Sequence, residues 1–278
     1  MTELSATARR AVEAATAAGA SDAEAYASRE GGRQVRVHGG EVESLTAATQ
    51  SGVGVRAWIG HRVGYAYGTD LSEAGVAAIA SRAAEAAGAA DEDPYAAPPQ
   101  PAEFEALPGL SDPSIAEWET DRVAELALTV ERTALESDPR LVAVETAVYA
   151  DAGEQVSIAS SAGVAGEYEA SSCYAYLQAL AEGEGARETG LGFGLARGPR
   201  GLDPEAIGAE GAERALSMIG AGKPPSRACP VVLDETVAAS FAGLIGGGLS
   251  ANAVQRGRSP FADRLEEALA SEAFALYD

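Results

Sequence analysis

The spacing of apolar residues in the first third of the chain changes from a helical to an extended period and back again. Ala8, Val12 and Ala15 recur at helical intervals and predict a helix over residues 5–18, which Gly19 ends. Alternating apolar and polar positions then predict an antiparallel meander. Its strands are expected at 34–37, 41–50, 53–59 and 63–67, with turns at Gly39-Gly40, Ser51-Gly52 and Gly60-His61. A second helical pattern spans 71–87, with Ser72 as its N-cap.

Proline punctuates the next stretch of the sequence. Six prolines between residues 94 and 113 cannot extend a helix or a central strand, so this segment is predicted to be a linker. An amphipathic helical pattern covers 114–137. Strand patterns follow at 141–150, 155–159, 164–182 and 190–196, and Asp203 with Pro204 predicts the start of a helix that runs to residue 219.

The C-terminal part predicts a short apolar strand at 230–233, a helix at 235–244 and a further helical segment over 261–277. The chain is therefore predicted to be an α+β protein. Its parts are an N-terminal helix–antiparallel meander–helix domain (1–93), a Pro-rich linker (94–113), a central domain that forms a second α/β unit with long antiparallel strands (114–226), and the beginning of a C-terminal domain (227–278).

Composition and charge exclude several classes of partner. The chain has 278 residues, a hydrophobic fraction of 46% and a formal net charge of −22, which repels nucleic acid and anionic lipid. No apolar run approaches the roughly 20 residues that a membrane helix needs, and the first ten residues contain no signal-peptide core. Cys173 and Cys229 are too few for a disulfide framework, so we expect a cytoplasmic protein.

Few residues are suited to catalysis. His38 and His61 are the only histidines, and both fall in or beside predicted turns, where exposed polar residues are common. Asp234 and Glu235 could act as a hydrolytic acid/base pair, but carboxylates at a helix start are typical of N-capping. Either cysteine could be a nucleophile, although neither has a neighbouring histidine in the sequence.

Several short motifs, in order over nearly the whole chain, resemble the TldD/PmbA family. The N-terminal half contributes Val37-His38-Gly39-Gly40-Glu41-Val42-Glu43-Ser44, Gly52-Val53-Gly54-Val55-Arg56 and Asp70-Leu71-Ser72. The C-terminal half contributes Ser161-Ala162-Gly163, Gly222-Lys223-Pro224-Pro225-Ser226, Pro230-Val231-Val232-Leu233-Asp234 and Gly257-Arg258-Ser259-Pro260-Phe261.

The resemblance implies peptide hydrolysis by a two-subunit zinc metalloprotease that trims unfolded peptides. In that family the TldD-like subunit carries a zinc-binding H-E-x-x-x-H helix after a strand like 230–233, and the TldE or PmbA-like subunit lacks these ligands. Here residues 234–244 contain no histidine. The resemblance therefore implies a non-catalytic TldE/PmbA-like subunit with no cofactor of its own, a heterodimer with a TldD-like partner that holds the zinc, and an unfolded peptide substrate.

The sequence and the family resemblance lead to two further expectations. Arg256, Arg258 and Ser259 stand out in an acidic chain and are candidates for contact with peptide or with the other subunit. Members of the family continue past the position that matches Asp278, so we expect the chain to lack most of a C-terminal domain. The alternatives are an independent hydrolase that uses Asp234, Glu235 or a cysteine, and an inactive truncated remnant.

Overall fold

The fold is given by a computed structural model, which describes residues 2–98, 100–101 and 107–276. Contacts divide the chain into two units, one ending at Ala221 and the other beginning at Gly222. The mixed α+β architecture predicted from the sequence is confirmed, including the antiparallel meander between two helices. The Pro-rich segment contains no helix or strand in its described part before residue 114, and Pro99 and residues 102–106 lie outside the described residues.

The first unit is built on one antiparallel sheet of six strands. Its order is β3-β2-β1-β4-β5-β6, so the meander and the later strands join where β1 pairs with β4. The strands are β1 (Asp22–His38), β2 (Glu41–Ile59), β3 (Arg62–Gly68), β4 (Leu141–Ser160), β5 (Ala165–Gly183) and β6 (Ala186–Ala196). The two domains predicted for residues 1–93 and 114–226 thus share a single sheet, and the predicted boundaries themselves stay predictions.

Two predicted strand breaks are wrong. Ser51 and Gly52 lie inside β2, where they pair with Arg29 and Ser28 of β1, and β4 runs without a break through the predicted gap at 151–154. A small or flexible residue does not end a strand when neighbouring strands supply hydrogen-bond partners on the ladder. The predicted turn at Gly39-Gly40 is confirmed, with φ values of 63° and 80° that favour glycine.

All four long helices of the first unit lie on one face of the sheet. They are α1 (Glu3–Ala17), α2 (Glu73–Ala89), α4 (Thr120–Ser137) and α5 (Pro204–Ser217), and the four-residue α3 (Ser114–Glu117) precedes α4. The single helix predicted over 114–137 is therefore broken after α3, where Trp118 is extended with ψ of 120°. Helices α1 and α2 cover one apolar core with Ala25 and Val55, and α4 and α5 cover a second with Val35 and Leu177.

Glycines set the contact between α5 and the edge strand β6. A Cβ atom at Gly190 or Gly192 would overlap the backbone of α5, so the alternating glycines of β6 let this helix lie directly on the strand. Asp203 caps α5 and Pro204 occupies its first turn, as predicted. Gly190 and Gly192 are therefore packing residues within the predicted strand.

The second unit has little regular structure. Helices α6 (Glu235–Leu249) and α7 (Ala251–Gln255) are its only regular elements within the residues described, and none of residues 222–276 is buried. The predicted strand at 230–233 is irregular, because no neighbouring strand pairs with it. The predicted helical segment at 261–277 forms isolated turns as far as Leu276, and Tyr277 lies outside the described residues.

Candidate functional site

A groove crosses the helix-bearing face of the sheet between the two cores. Gly31 of β1 and Gly153 of β4 pair directly and form its floor, because neither residue has a side chain that could fill the space. Arg29 and Gln155 line one end of the groove, and Ile115 of α3 lines the other end. The groove encloses about 720 Å³. We call it the glycine groove.

A buried ion pair fixes the end of the glycine groove at α3. The Arg33 guanidinium donates to both Asp151 carboxylate oxygens, with Nη2 2.6 Å from Oδ2. It also donates to the carbonyl oxygens of Ile115 and Trp118. Tyr149 Oη donates to Asp151 Oδ2 at 2.8 Å. Burial next to this carboxylate raises the pKa of Tyr149, so the phenol stays protonated and keeps donating.

The polar residues beside the glycine groove are engaged in structural hydrogen bonds. Ser171 Oγ accepts from the backbone N–H of Asp112 at 2.8 Å and donates to the carbonyl oxygen of Arg197 at 2.7 Å. Arg29 pairs with Glu3 of α1, and Glu117 pairs with Arg200. This arrangement can bind a polar chain, but it presents no nucleophile with a base beside it among the residues described.

The opposite face of the sheet carries no helix of the first unit. Glu30 of β1 and Glu154 of β4 stand directly opposite each other there, and neither carboxylate has a cationic partner among the described residues. Tyr26 Oη donates to Glu154 Oε1 at 3.2 Å. Like charges in this cross-strand position repel each other, so this open face has an uncompensated negative site.

The open face also presents aromatic side chains at both ends. Tyr65 stacks with Tyr67 at 6.1 Å, and Tyr174 stacks with Tyr176 and Phe193 at 6.3 Å. A shallow cavity of about 300 Å³ lies between these groups, and Glu30, Gln34, Thr46, Ala48, Ala152 and Tyr174 are among the residues that line it. A face of this composition suits contact with a polymer better than enclosure of a small molecule.

The structure assigns Asp234 to capping. Its carboxylate accepts from the backbone N–H of Val237 at 2.8 Å, and Glu235 follows as the first residue of α6. A carboxylate in this position satisfies a free N–H group and faces the positive end of the helix dipole. The capping interpretation explains the pair without a catalytic role.

The two cysteines lie in different environments. Cys173 is fully buried in the core beneath α4 and α5, where burial raises the pKa of its thiol to about 11. At neutral pH such a thiol is protonated and a poor nucleophile. Cys229 is exposed and lies in the irregular segment before α6.

The histidines do not form a metal site. His38 ends β1, whereas His61 lies in the turn after β2, beside the opposite end of the same hairpin. The 17 residues of β1 separate them by up to about 50 Å, at about 3.3 Å per residue. Across the described ranges, no three His, Cys, Asp or Glu residues converge in a group that could hold a metal ion. The donor set of these residues does not fit a zinc site.

The predicted contact residues lie together just after α7. Arg256 is the C-cap residue of α7. Arg258 donates its backbone N–H to the carbonyl oxygen of Ala253 at 2.8 Å, and Ser259 Oγ accepts from the N–H of Phe261. Neither guanidinium forms an ion pair within the part of the chain that the structure describes. Their role in contact with a peptide or a subunit stays a prediction.

Sequence reasoning missed the residues of the glycine groove and of the open face. Gly31 and Gly153 become neighbours only through the register of β1 on β4, as do Glu30 and Glu154. The doublet Gly31-Gly32 within a strand was a usable signal, because glycine in a strand interior often marks close approach of another group.

Comparison with known proteins identifies the family. Residues 23–87, 113–219 and 226–278 match, in order, the models of domain 1, the central domain and the C-terminal domain of the PmbA/TldA metallopeptidases. The chain belongs to the PmbA/TldD family. The metalloprotease PmbA of Escherichia coli is 29% identical over 249 residues, which cover 86% of this chain and 54% of PmbA.

Solved structures share the fold of this PmbA/TldD-family chain. A Bacteroides thetaiotaomicron protein, described as a proposed modulator of DNA gyrase, superposes with a TM-score of 0.88 at 21% identity over 98% of this chain and 62% of its own. TldE from Thermococcus kodakarensis gives 0.75 at 16% identity over 92% and 58%. The chain thus spans little more than half the length of these relatives. No helix in the described residues is long and apolar enough to cross a membrane.

Proposed function

We propose that this chain is the non-catalytic, TldE/PmbA-like subunit of a zinc peptidase that trims unfolded peptides. In this proposal a TldD-like partner carries the zinc in a heterodimer, and this chain shapes the chamber and positions the peptide. The observation that carries the proposal is the placement of His38 and His61 at opposite ends of one hairpin, with no histidine in α6. Activation of water by zinc needs about three protein ligands around one metal ion.

The environments of the other candidate catalytic groups also support a non-catalytic role for this chain. Asp234 is engaged as a helix cap, and Cys173 is buried with a raised pKa. The alternative of an independent hydrolase would then depend on the exposed Cys229 or on Glu235, each without a neighbouring histidine. The free cysteines are consistent with the reducing cytoplasm in which we place the complex.

Metal analysis and a mixing experiment test the proposal. The purified chain, titrated with zinc and desalted, is expected to retain no stoichiometric metal. A TldD-type protein from the same cell is expected to hydrolyse an unfolded peptide faster with this chain than without it. The matched control is the same partner with the glutamate of its H-E-x-x-x-H motif replaced by glutamine, which should be inactive in the mixture. One tightly held zinc per chain, or hydrolysis by the chain alone equal to that of the mixture, would overturn the proposal.

A further inference from the structure

Half of β2 has an open hydrogen-bonding edge. β3 pairs with β2 only from Val53 to Ile59, so nothing in the described chain pairs with the outer edge of β2 between Glu41 and Gly52. Each of residues 41–50 is exposed. An unpaired edge presents free backbone N–H and C=O groups on alternate residues.

From Ser44 to Gly52, this edge carries none of the side chains that usually block strand addition. Natural edges are commonly protected by lysine, by proline or by a covering segment. Residues 44–52 contain no charged residue and no proline, although 22% of the whole chain is charged. The exposed Leu45 contributes an apolar contact in the same stretch. We call residues 44–52 of β2 the open edge.

Cavities flank the open edge on both faces of the sheet. On the open face, the cavity of about 300 Å³ begins at Thr46 and Ala48. On the helix-bearing face, a cavity of about 330 Å³ begins at Ala47 and Thr49 and extends to Ile115. Successive side chains of a strand point to opposite faces, so an added strand would direct alternate side chains toward these two cavities.

The charges beside the open edge favour a basic occupant. Ala48 pairs with Gly32 of β1, and both residues are small, so a long side chain from an added strand can pass over them into the cavity that Glu30 lines. Glu30 stands opposite Glu154 without a cationic partner in the described chain. A lysine or arginine would relieve the repulsion between these carboxylates. A second copy of the chain is disfavoured, because each copy has a net charge of −22.

We propose that the open edge binds an extended peptide as an added strand, collinear with β3, with basic side chains directed to Glu30 and Glu154. The inference rests on the proposed function in that it assigns a capture site for the peptide substrate. It concerns binding by this chain alone and requires no zinc and no partner. Its failure is therefore distinct from failure of the mixing experiment.

Fluorescence anisotropy with labelled octapeptides tests the proposal on the full 278-residue chain. An alternating Lys-Val peptide is expected to bind at least tenfold more tightly than the alternating Glu-Val peptide. Two forms of the Lys-Val peptide carry a methyl group on the backbone nitrogen of every lysine or of every valine. Because the N–H groups of alternate residues in a strand point to opposite edges, each form blocks one edge of the bound strand. One form should retain binding and the other should lose it. Equal retention or equal loss in both forms would overturn strand addition.

Matched variants locate the site. Ala48→Lys places an ammonium in the cavity that Glu30 lines and should weaken binding of the Lys-Val peptide at least tenfold. Ala77→Lys, the same change on the exposed side of α2, should leave binding unchanged. Glu30→Gln should weaken binding, and Glu13→Gln on α1 should not. Equal effects of the two lysine variants would contradict the assignment. Light scattering that shows a dimer abolished by Ala48→Lys would instead assign the open edge to a second copy and overturn the peptide proposal.

Discussion

The Glu131 carboxylate of α4 accepts a hydrogen bond of 2.8 Å from the backbone N–H of Gly39 in the turn between β1 and β2. Its second oxygen accepts from the N–H of Gly40 at the same distance. Glu131 is only 2% exposed, yet both of its oxygens are satisfied. One buried side chain thereby ties the tip of the β1–β2 hairpin, just before the open edge begins in β2, to a helix of the core.

Replacing Glu131 by glutamine should destabilise the first unit. The amide keeps one acceptor but turns an NH2 group toward a backbone N–H, which leaves a buried donor unpaired at a cost of about 1–3 kcal/mol. Urea unfolding followed by circular dichroism measures this loss. Glu136→Gln, on the exposed side of the same helix, is the control and should change stability by less than about 0.5 kcal/mol. Equal midpoints for the two variants would show that the contact with the turn contributes nothing.

Replacing Asp151 by asparagine should be more damaging. Arg33 would keep two carbonyl partners but lose its counter-charge in a site where the Asp151 side chain is only 2% exposed. Breaking a buried pair by removing one partner costs about 3–5 kcal/mol, and we expect the lower end because one oxygen remains. Thermal unfolding provides the measurement. The surface pair of Asp138 and Arg140 is the comparison, and Asp138→Asn should lower the midpoint much less.

The turn at Gly39-Gly40 and its buried partner Glu131 show what the sequence could and could not predict. The turn at Gly39-Gly40 was predictable because two adjacent glycines with positive φ form a tight hairpin by local chemistry. The partner of that turn, Glu131, lies 92 residues away from Gly39 and has no local signature. The same limit applies to Arg33 and Asp151, which the register of β1 on β4 brings together.

The strands that were predicted too short have the same physical cause. Ser51-Gly52 is a turn signal when judged alone, but β1 supplies a continuous ladder beside it. Tertiary pairing therefore outweighs the local preference. In the opposite direction, residues 230–233 are strongly apolar but have no strand to pair with, so they remain irregular. Apolar alternation gave the location of the extended segments, and the sheet determined their lengths.

The two cysteines should differ in reactivity under native conditions. At pH 8 a thiol with a pKa of about 11 is thiolate to about one part in a thousand, whereas an ordinary cysteine near 8.5 is about a quarter thiolate. Burial further shields Cys173, and Cys229 is exposed. Mass spectrometry after iodoacetamide treatment should show one modified thiol in the native chain and two in urea. Rapid native modification of Cys173 would contradict the buried, protonated state, and Cys229→Ser supplies the control in which the native signal disappears.

The second unit should be the first part of the chain that a protease removes. None of residues 222–276 is buried, whereas both apolar cores are formed by residues between Leu4 and Ala215. Segments with few buried contacts open locally at low free-energy cost and are cut first. Trypsin should therefore cleave after Arg227, Arg256 and Arg258 before it cleaves after Arg62.

Arg62 is the internal control, because its side chain is 42% exposed but its backbone belongs to the β2–β3 hairpin. A time course followed by mass spectrometry of the intact fragments is expected to show a stable product that retains the whole six-stranded sheet. Cleavage after Arg62 at the same rate as after Arg227 would show that the second unit is as well protected as the sheet.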